Sequence, residues 1–256
     1  MEGDILCINQ EARDAANGVL KMVFERLYGE RDDLLSFASD KIKQEGKTLI
    51  IAISGESGAG KSVLSHELAA LLRKNGVLAK CLCTDNFYTI PPEDREAWRK
   101  EHKDQIGKSE YDWDLINRIT DDFRKRKSST FQVIDLNTQQ VEFLTTDFSK
   151  VNVIILEGLF AVAAELKDCD FRAFLEAPEE RKQAAQGARG KEDPSNPFRQ
   201  FIMAKEKQDV RNQLLALNTQ DFIFINAVNE KLENQLSWQS AKEIFDIIEC
   251  DAPRLE

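Results

Sequence analysis

One segment has the residue types and the spacing of a phosphate-binding loop. The pattern G-x-x-x-x-G-K-[ST] is matched in full by the consecutive residues Gly55, Glu56, Ser57, Gly58, Ala59, Gly60, Lys61 and Ser62. Glycines let successive backbone N–H groups point at an anion, and the positive end of the following helix adds to the attraction. In such a loop the lysine reaches the β- and γ-phosphates and the hydroxyl binds Mg²⁺. We therefore predict a nucleotide site in which Lys61 and Ser62 have these roles.

Two acidic residues follow apolar runs that are typical of buried strands. Asp85 comes directly after residues 79–84, and Glu157 comes directly after residues 151–156. Parallel strands in open α/β sheets present such residues at the carboxyl edge, where ligands bind. There Asp85 could orient an acceptor hydroxyl and take its proton during phosphoryl transfer, while Glu157 could hold Mg²⁺ or its water shell.

The elements that must position these residues indicate an α/β fold. Residues 49–54 predict a fully covered strand, residues 63–74 an amphipathic helix, and residues 79–84 a second strand, which together make a βαβ unit. Buried apolar runs predict further strands in the same parallel sheet at residues 131–136, 151–156, 171–177 and 221–225.

The ends of the chain are less regular. A short strand at residues 5–8 and helices at residues 11–28 and 32–43 are predicted before the sheet. Residues 187–200 concentrate glycine, proline and charge, which predicts a mobile surface loop. Residues 229–249 have helical propensity without a clear apolar stripe.

Composition narrows the class of protein. The 256 residues carry a formal charge of -10, so a global electrostatic footprint for nucleic acid or membrane is absent. The apolar runs are far shorter than the roughly 20 residues of a membrane helix, so a cytoplasmic protein is expected. Five cysteines without a Cys-x-x-Cys pair, and two histidines, argue against a zinc site or a disulfide framework.

Residues 218–221 lack the lysine of the guanine-reading Asn-Lys-x-Asp motif, which disfavours a GTPase.

Five segments together resemble the uridine kinase and phosphoribulokinase-like P-loop kinases. They span residues 49–177 in family order and comprise residues 53–62, Asp85-x-Phe-Tyr88, Tyr111-Asp-Trp-Asp114, Asp135 after a strand, and Ile154-Ile-Leu-Glu-Gly-Leu-Phe160. The resemblance implies a P-loop NTPase three-layer fold with a five-stranded parallel core sheet and flanking helices. It also implies that ATP and Mg²⁺ are the cofactors.

The resemblance also implies roles for individual residues. Asp85 would be the catalytic base and Glu157 the acid near Mg²⁺, while Tyr88, Asp112 and Asp135 would line the substrate pocket. The family's arginine-rich lid has a loose counterpart in a lid-like segment at about residues 187–200 and the basic residues in and around it, of which Arg189 would contact the nucleotide. These basic residues are Arg181, Arg189, Lys191, Arg199 and Arg211. By this comparison residues 1–48 form an N-terminal helical extension to a kinase domain at residues 49–256.

One departure bears on the acceptor. Uridine kinases carry Tyr-Asp-Phe-x-x-His where this chain has residues 134–139, with Leu136 and Gln139 in place of the second aromatic residue and the histidine. Uridine and cytidine are therefore expected to be poor substrates. The main hypothesis is an ATP-dependent kinase that acts on a hydroxyl of a nucleoside-like or polyol acceptor. The alternative is a nucleotide-binding regulatory protein or slow ATPase that has lost acceptor specificity. Homo-oligomerisation is left open.

Overall fold

The strands that the structure describes form one large sheet and one small sheet. The computed structural model describes residues 2–134, 138, 140–189, 196–217, 221–227 and 234–250, and only the backbone of residues 2–9, 189, 234, 249 and 250. The strands within these ranges are β1 Leu49–Gly55, β2 Ala79–Cys83, β3 Ser128–Ile134, β4 Val141–Asp147, β5 Val153–Glu157, β6 Phe171–Glu176, β7 Asp221–Ala227 and β8 Asn234–Ser240.

The large sheet has the strand order β2-β5-β1-β6-β7-β8. Its first five strands are parallel, and β8 pairs with β7 in the antiparallel direction. The predicted five-stranded parallel core is confirmed, with one antiparallel strand added at its edge. The five parallel strands are consecutive neighbours with β1 at their centre, so the residues that follow their carboxyl ends meet at one edge of the sheet.

Helices cover both faces of this sheet. They are α1 Glu2–Tyr28, α2 Leu34–Glu45, α3 Lys61–Lys74, α4 Pro92–Glu101, α5 Trp113–Arg124, α6 Glu179–Arg189, α7 Pro197–Ala216 and α8 Ala241–Cys250. Along β1, Leu49, Ile51 and Ile53 pack with α1, α2 and α3, whereas Ile50 and Ala52 pack with α5, α7 and α8. This alternation explains why β1 is apolar at nearly every position. None of the described helices is long and apolar enough to cross a membrane.

The strand predicted at residues 131–136 was wrongly placed in the parallel sheet. β3 forms a separate two-stranded antiparallel hairpin with β4, a strand that the sequence analysis missed. Most of β4 is exposed, and Phe143 has 77% of its surface open to solvent. A hairpin buries only part of each strand, so its hydrophobic pattern is weaker than that of a core strand.

Both ends of the chain differ from the predictions. Residues 5–8 belong to α1 rather than to a strand, because four apolar residues fit either periodicity and the helix that follows extends through them. Within the tail, residues 234–240 form β8, and Leu236 and Trp238 on one face of β8 pack against the core. Within the loop predicted at residues 187–200, residues 187–189 and 197–200 are helical instead. Residues 190–195 are outside the described ranges.

The first two helices pack closely against the remainder of the protein. Ala16, Val19 and Val23 of α1 are almost completely buried, and they belong to the same apolar cluster as β1 and α3. Residues 1–48 were predicted as an extension by resemblance alone. Within the described residues, that segment shares its core with the sheet.

Candidate active site

The phosphate loop connects the central strand to α3. Gly58 and Gly60 have φ angles of 87° and 102°, a left-handed region in which a side chain is strained. A Cβ atom on Gly58 would lie 2.6 Å from the carbonyl oxygen of Lys182, so the backbone of α6 closes directly against the loop. Lys61 is the first residue of α3, and its Nζ donates a hydrogen bond to the carbonyl oxygen of Glu56 at 3.0 Å. This backbone can surround an anion with N–H donors.

A hydroxyl and a carboxylate meet beside the loop. The Ser62 hydroxyl donates a hydrogen bond to Oε1 of Glu157 at 3.1 Å. Glu157 ends β5, where it is opposite Ile53 of β1 and Cys83 of β2 and is 5% exposed. Hard oxygen donors suit Mg²⁺, which usually keeps several waters and phosphate oxygens among its ligands. The oxygens of Ser62 and Glu157 therefore fit Mg²⁺. The part of the chain that the structure describes has no cluster of three or more acidic, histidine or cysteine side chains that could hold a metal ion by itself.

Asp85 lies at the end of β2 next to two tyrosines. It is exposed and belongs to a short 3-10 helix, Thr84–Phe87. The Tyr111 hydroxyl lies 3.3 Å from Oδ1 of Asp85 and 2.7 Å from the Tyr88 hydroxyl. Burial, and then the negative charge of Asp85, raises the pKa of Tyr88; burial together with Tyr88 and Asp85 raises the pKa of Tyr111. Both phenols therefore stay neutral and can donate hydrogen bonds.

Gly158 joins the Glu157 and Asp85 segments. A Cβ atom at this position would lie 1.8 Å from Oγ1 of Thr84, the residue before Asp85. Only glycine allows this close approach. The Glu-Gly pair at the end of β5 thus sets the spacing between the two acids.

A buried charge cluster surrounds the second residue of the loop. Oε2 of Glu56 is 2.5 Å from Nζ of Lys182 and 3.5 Å from Nζ of Lys207, and its Oε1 is 3.6 Å from Nη2 of Arg211. The side chains of Glu56 and Lys182 are 9% and 4% exposed. Burial alone would lower the pKa of Lys182, but hydrogen bonding to Glu56 and the other nearby carboxylates raises it, so the amine stays charged. The cluster ties α6 and α7 to the phosphate loop.

Comparison with known proteins shows which family the chain resembles. Residues 50–185, more than half of the chain, match the model of the phosphoribulokinase/uridine kinase family. The chain belongs to this family. A uridine kinase of Ureaplasma parvum serovar 3 is 28% identical over 138 residues, which cover 52% of this chain and 64% of that protein. The chain thus spans less than two thirds of that relative's length.

One further relative by sequence and one solved structure are also similar to this chain. A bifunctional alpha-galactosidase/sucrose kinase of Mediterraneibacter gnavus is 27% identical over 179 residues, covering 64% of this chain and 19% of that protein. The structure of D-glycerate 3-kinase from Cryptococcus neoformans var. grubii aligns with a TM-score of 0.53 and 11% identity, over 79% of this chain and 97% of that one. The structural likeness shows the fold alone.

The residues that family resemblance assigned to the substrate lie in different settings. Tyr88 lies beside Asp85, as described above. Asp112 is the N-cap of α5, where its Oδ1 accepts a hydrogen bond from the backbone N–H of Leu115 at 2.9 Å. Asp135 is outside the described residues. The residue before it, Ile134, donates its backbone N–H to Oδ1 of Asn86 at 2.9 Å, which holds the end of β3 next to the Asp85 segment.

Other features of the site were not anticipated. Tyr111 was noted only as part of a motif, and its contact with Asp85 emerges from the fold. Lys182 was missed because its partner Glu56 is 126 residues away and no local pattern links them. Arg189, predicted to contact the nucleotide, ends α6, and its side chain is outside the described atoms. Its role stays a prediction.

Proposed function

We propose that the protein is an ATP-dependent kinase that transfers the γ-phosphoryl group to a hydroxyl of a small nucleoside-like or polyol acceptor. The observation that carries the proposal is the convergence of three strand ends. The phosphate loop follows β1, the Ser62 and Glu157 oxygens meet at β5, and the exposed carboxylate of Asp85 follows β2. Nucleotide binding alone requires the loop and a metal ligand, whereas an additional exposed carboxylate suits proton transfer.

Each residue has a defined task in this reaction. The loop N–H groups and Lys61 bind the phosphates, and Ser62 and Glu157 would hold Mg²⁺, which neutralises charge that develops on the transferred group. Asp85 orients the acceptor hydroxyl and accepts its proton as the oxygen attacks in line. The Tyr111 hydroxyl, 3.3 Å from Oδ1 of Asp85, fixes the direction of that carboxylate.

The acceptor side of the site is suited to a polyhydroxylated molecule. Asp85 accepts hydrogen bonds, and the neutral phenols of Tyr88 and Tyr111 both donate and accept them. Family membership leaves the acceptor open, since one relative is a uridine kinase and another contains a sucrose kinase. Leu136 and Gln139 in place of an aromatic residue and a histidine argue against a pyrimidine nucleoside.

The decisive experiment measures ADP release with a panel of acceptors. Purified protein with ATP and Mg²⁺ is assayed with nucleosides, ribose phosphates, simple sugars, pantothenate and glycerate. We expect at least one acceptor to raise ADP release well above the background rate, and expect Asp85→Asn to abolish that increase while keeping ATP affinity. Asp104→Asn, an exposed acid in the short 3-10 helix Lys103–Gln105 after α4, is the matched control. ATP binding without any acceptor-dependent ADP release would favour the regulatory protein or slow ATPase instead.

A further inference from the structure

A small cavity lies between the phosphate loop and α7. It has a volume of about 170 Å³, below the roughly 300–1,000 Å³ that is usual for sites of drug-sized ligands. Its lining includes two residues of the loop, one that follows β5, one of α6 and two of α7: Glu56, Ser57, Leu159, Lys182, Glu206 and Lys207. The cavity therefore adjoins both the phosphate loop and the strand end of Glu157, where a phosphoryl group and its acceptor must meet.

The charges around the cavity differ between its two ends. Beside the loop, Oε2 of Glu56 is paired with Nζ of Lys182 at 2.5 Å. Burial, then the negative charge of Asp85 and then that of Glu206, raises the pKa of the Tyr88 phenol, so both carboxylates lie near that phenol. Two carboxylates and a neutral phenol thus meet on the acceptor side, and all of them can accept hydrogen bonds from hydroxyl groups.

Glu206 keeps one oxygen available, although its side chain is only 10% exposed. Arg99 donates two hydrogen bonds to Glu110, at 2.6 and 3.0 Å, but only one to Oε1 of Glu206, at 3.2 Å. Oε2 of Glu206 accepts no hydrogen bond from the residues that the structure describes. A carboxylate oxygen in such a buried position is costly to leave without a donor. A donor that reaches it must come from the cavity that Glu206 lines.

We propose that Glu206 determines the specificity of the acceptor site: it accepts a hydrogen bond from a second hydroxyl of the acceptor, while Asp85 holds the hydroxyl that is phosphorylated. The acceptor is then a small neutral polyol, because two carboxylates in a site of low dielectric repel a phosphate or carboxylate group. The volume of the cavity favours such a molecule over a nucleoside. The inference rests on the proposed function and narrows its acceptor class.

ADP release by the unmodified protein with ATP and Mg²⁺ tests the acceptor class. The probes are ribose, glucose and glycerol, the monodeoxy analogues of each, and the anionic counterparts ribose phosphate, glucose phosphate and glycerate. The best neutral polyol should have a specificity constant at least about tenfold above that of its anionic counterpart and of at least one monodeoxy analogue. A preference for the anionic counterpart would overturn the proposal. Release with a nucleoside or pantothenate but with none of these polyols would also overturn it, and would leave the proposed function intact. No acceptor-dependent release with any compound would refute the proposed function itself.

Glu206→Gln tests the residue, because the amide can still accept a hydrogen bond from Arg99 but has one carboxylate oxygen fewer. The specificity constant for the preferred polyol should fall about tenfold or more, mainly through KM, since losing a hydrogen bond to a charged group has effects of this size. At least one monodeoxy analogue should be affected less than about twofold, because it already lacks the hydroxyl that Glu206 holds. The Kd for ATP should also change less than about twofold. Glu180→Gln, at an exposed position of α6, is the matched control.

The deoxy analogues separate recognition from a structural role of Glu206. Equal losses for the polyol and all of its monodeoxy analogues, or an unchanged KM for the polyol, would overturn the proposal. Thermal unfolding checks that Glu206→Gln is folded. If it is not, the comparison of neutral, deoxy and anionic acceptors on the unmodified protein decides the question.

Discussion

Replacing Arg99 by methionine should lower the melting temperature of the protein. Nε and Nη2 of Arg99 lie 2.6 and 3.0 Å from the two carboxylate oxygens of Glu110, and Nη2 also lies 3.2 Å from Oε1 of Glu206. These side chains are only 8%, 1% and 10% exposed. The network joins α4 to α7 and to the residue before Tyr111. Methionine fills a similar volume but leaves two buried carboxylates without their shared cation.

The magnitude follows from this burial. Removing one partner of a buried ion pair costs about 3–5 kcal/mol, a large share of the roughly 5–15 kcal/mol by which a domain is stable. At about 2–4 °C per kcal/mol for a chain of this size, the melting temperature should fall by about 6–20 °C. Lys100→Met is the matched control, because its pair with Glu96 is exposed to solvent and should contribute little to stability.

The loss of stability in Arg99→Met should also depend on pH. Burial raises the pKa of Glu206, whereas Arg99 lowers it, so removing Arg99 raises the folded-state pKa further. A carboxyl whose folded pKa lies above its unfolded value of about 4.3 destabilises the fold above that pKa and ceases to do so once it is protonated. The deficit should therefore be complete near neutral pH and should shrink as the pH falls below the folded pKa.

Urea denaturation followed by circular dichroism, at about pH 7.5 and about pH 5, measures both effects. A loss below about 1 kcal/mol at the higher pH, or an equal loss at both values, would show that the buried charges are not what the cation stabilises. The KM for the acceptor should rise in Arg99→Met more than the Kd for ATP, because the network supports Tyr111 rather than the phosphate loop.

Three substitutions and one substrate measurement test the site itself. Lys61→Ala should lower turnover at least about a hundredfold, since such clamps contribute on the order of 3 kcal/mol to the transition state; wild-type turnover would mean that the loop is misassigned. Asp85→Asn should lower kcat by roughly 10²- to 10⁴-fold and leave ATP affinity intact, and equal loss of both in calorimetry and kinetics would make Asp85 structural. Gly158→Ala should reduce stability by about 1–3 kcal/mol and reduce turnover, because the added Cβ collides with the Asp85 segment; unchanged kinetics would disprove that spacing role. Uridine should be a poor substrate because Leu136 and Gln139 lack ring and imidazole contacts, which a specificity constant above about 10⁴ M⁻¹s⁻¹ would contradict.

The parts of the fold that could be predicted from the sequence have strong local signals. Continuous apolar runs identified β1, β5, β6 and β7, because strands covered on both faces tolerate few polar residues. Residues 234–240 were missed because an edge strand is half exposed and alternates only weakly. β4 was missed for the same reason, since most of it is exposed. β3 was placed in the wrong sheet because a strand pattern does not say which partner the strand will pair with.

In the candidate site, too, features with a local signal could be read from the sequence and long-range contacts could not. The positions of the phosphate loop, Asp85 and Glu157 were predictable because each stands at a fixed place relative to a strand end, while their roles stay predictions. The contact of Tyr111 with Asp85 bridges 26 residues, and the contact of Arg181 with Glu11 bridges 170. Such pairs depend on how helices pack across the sheet, and hydrophobic periodicity contains no information about them.

The long-range pairs explain how a chain this acidic could hold the phosphates of the proposed reaction. The protein has a formal charge of -10, and its phosphate loop itself contains an acid, Glu56. A lone buried carboxylate at this position would repel the phosphates strongly in a medium of low dielectric. Lys182 at 2.5 Å, with Lys207 and Arg211 beyond it, cancels that charge. The loop amides and Lys61 are then left to set the sign of the local field, so we expect α6 and α7 to support the proposed phosphate site even where they do not contact the nucleotide.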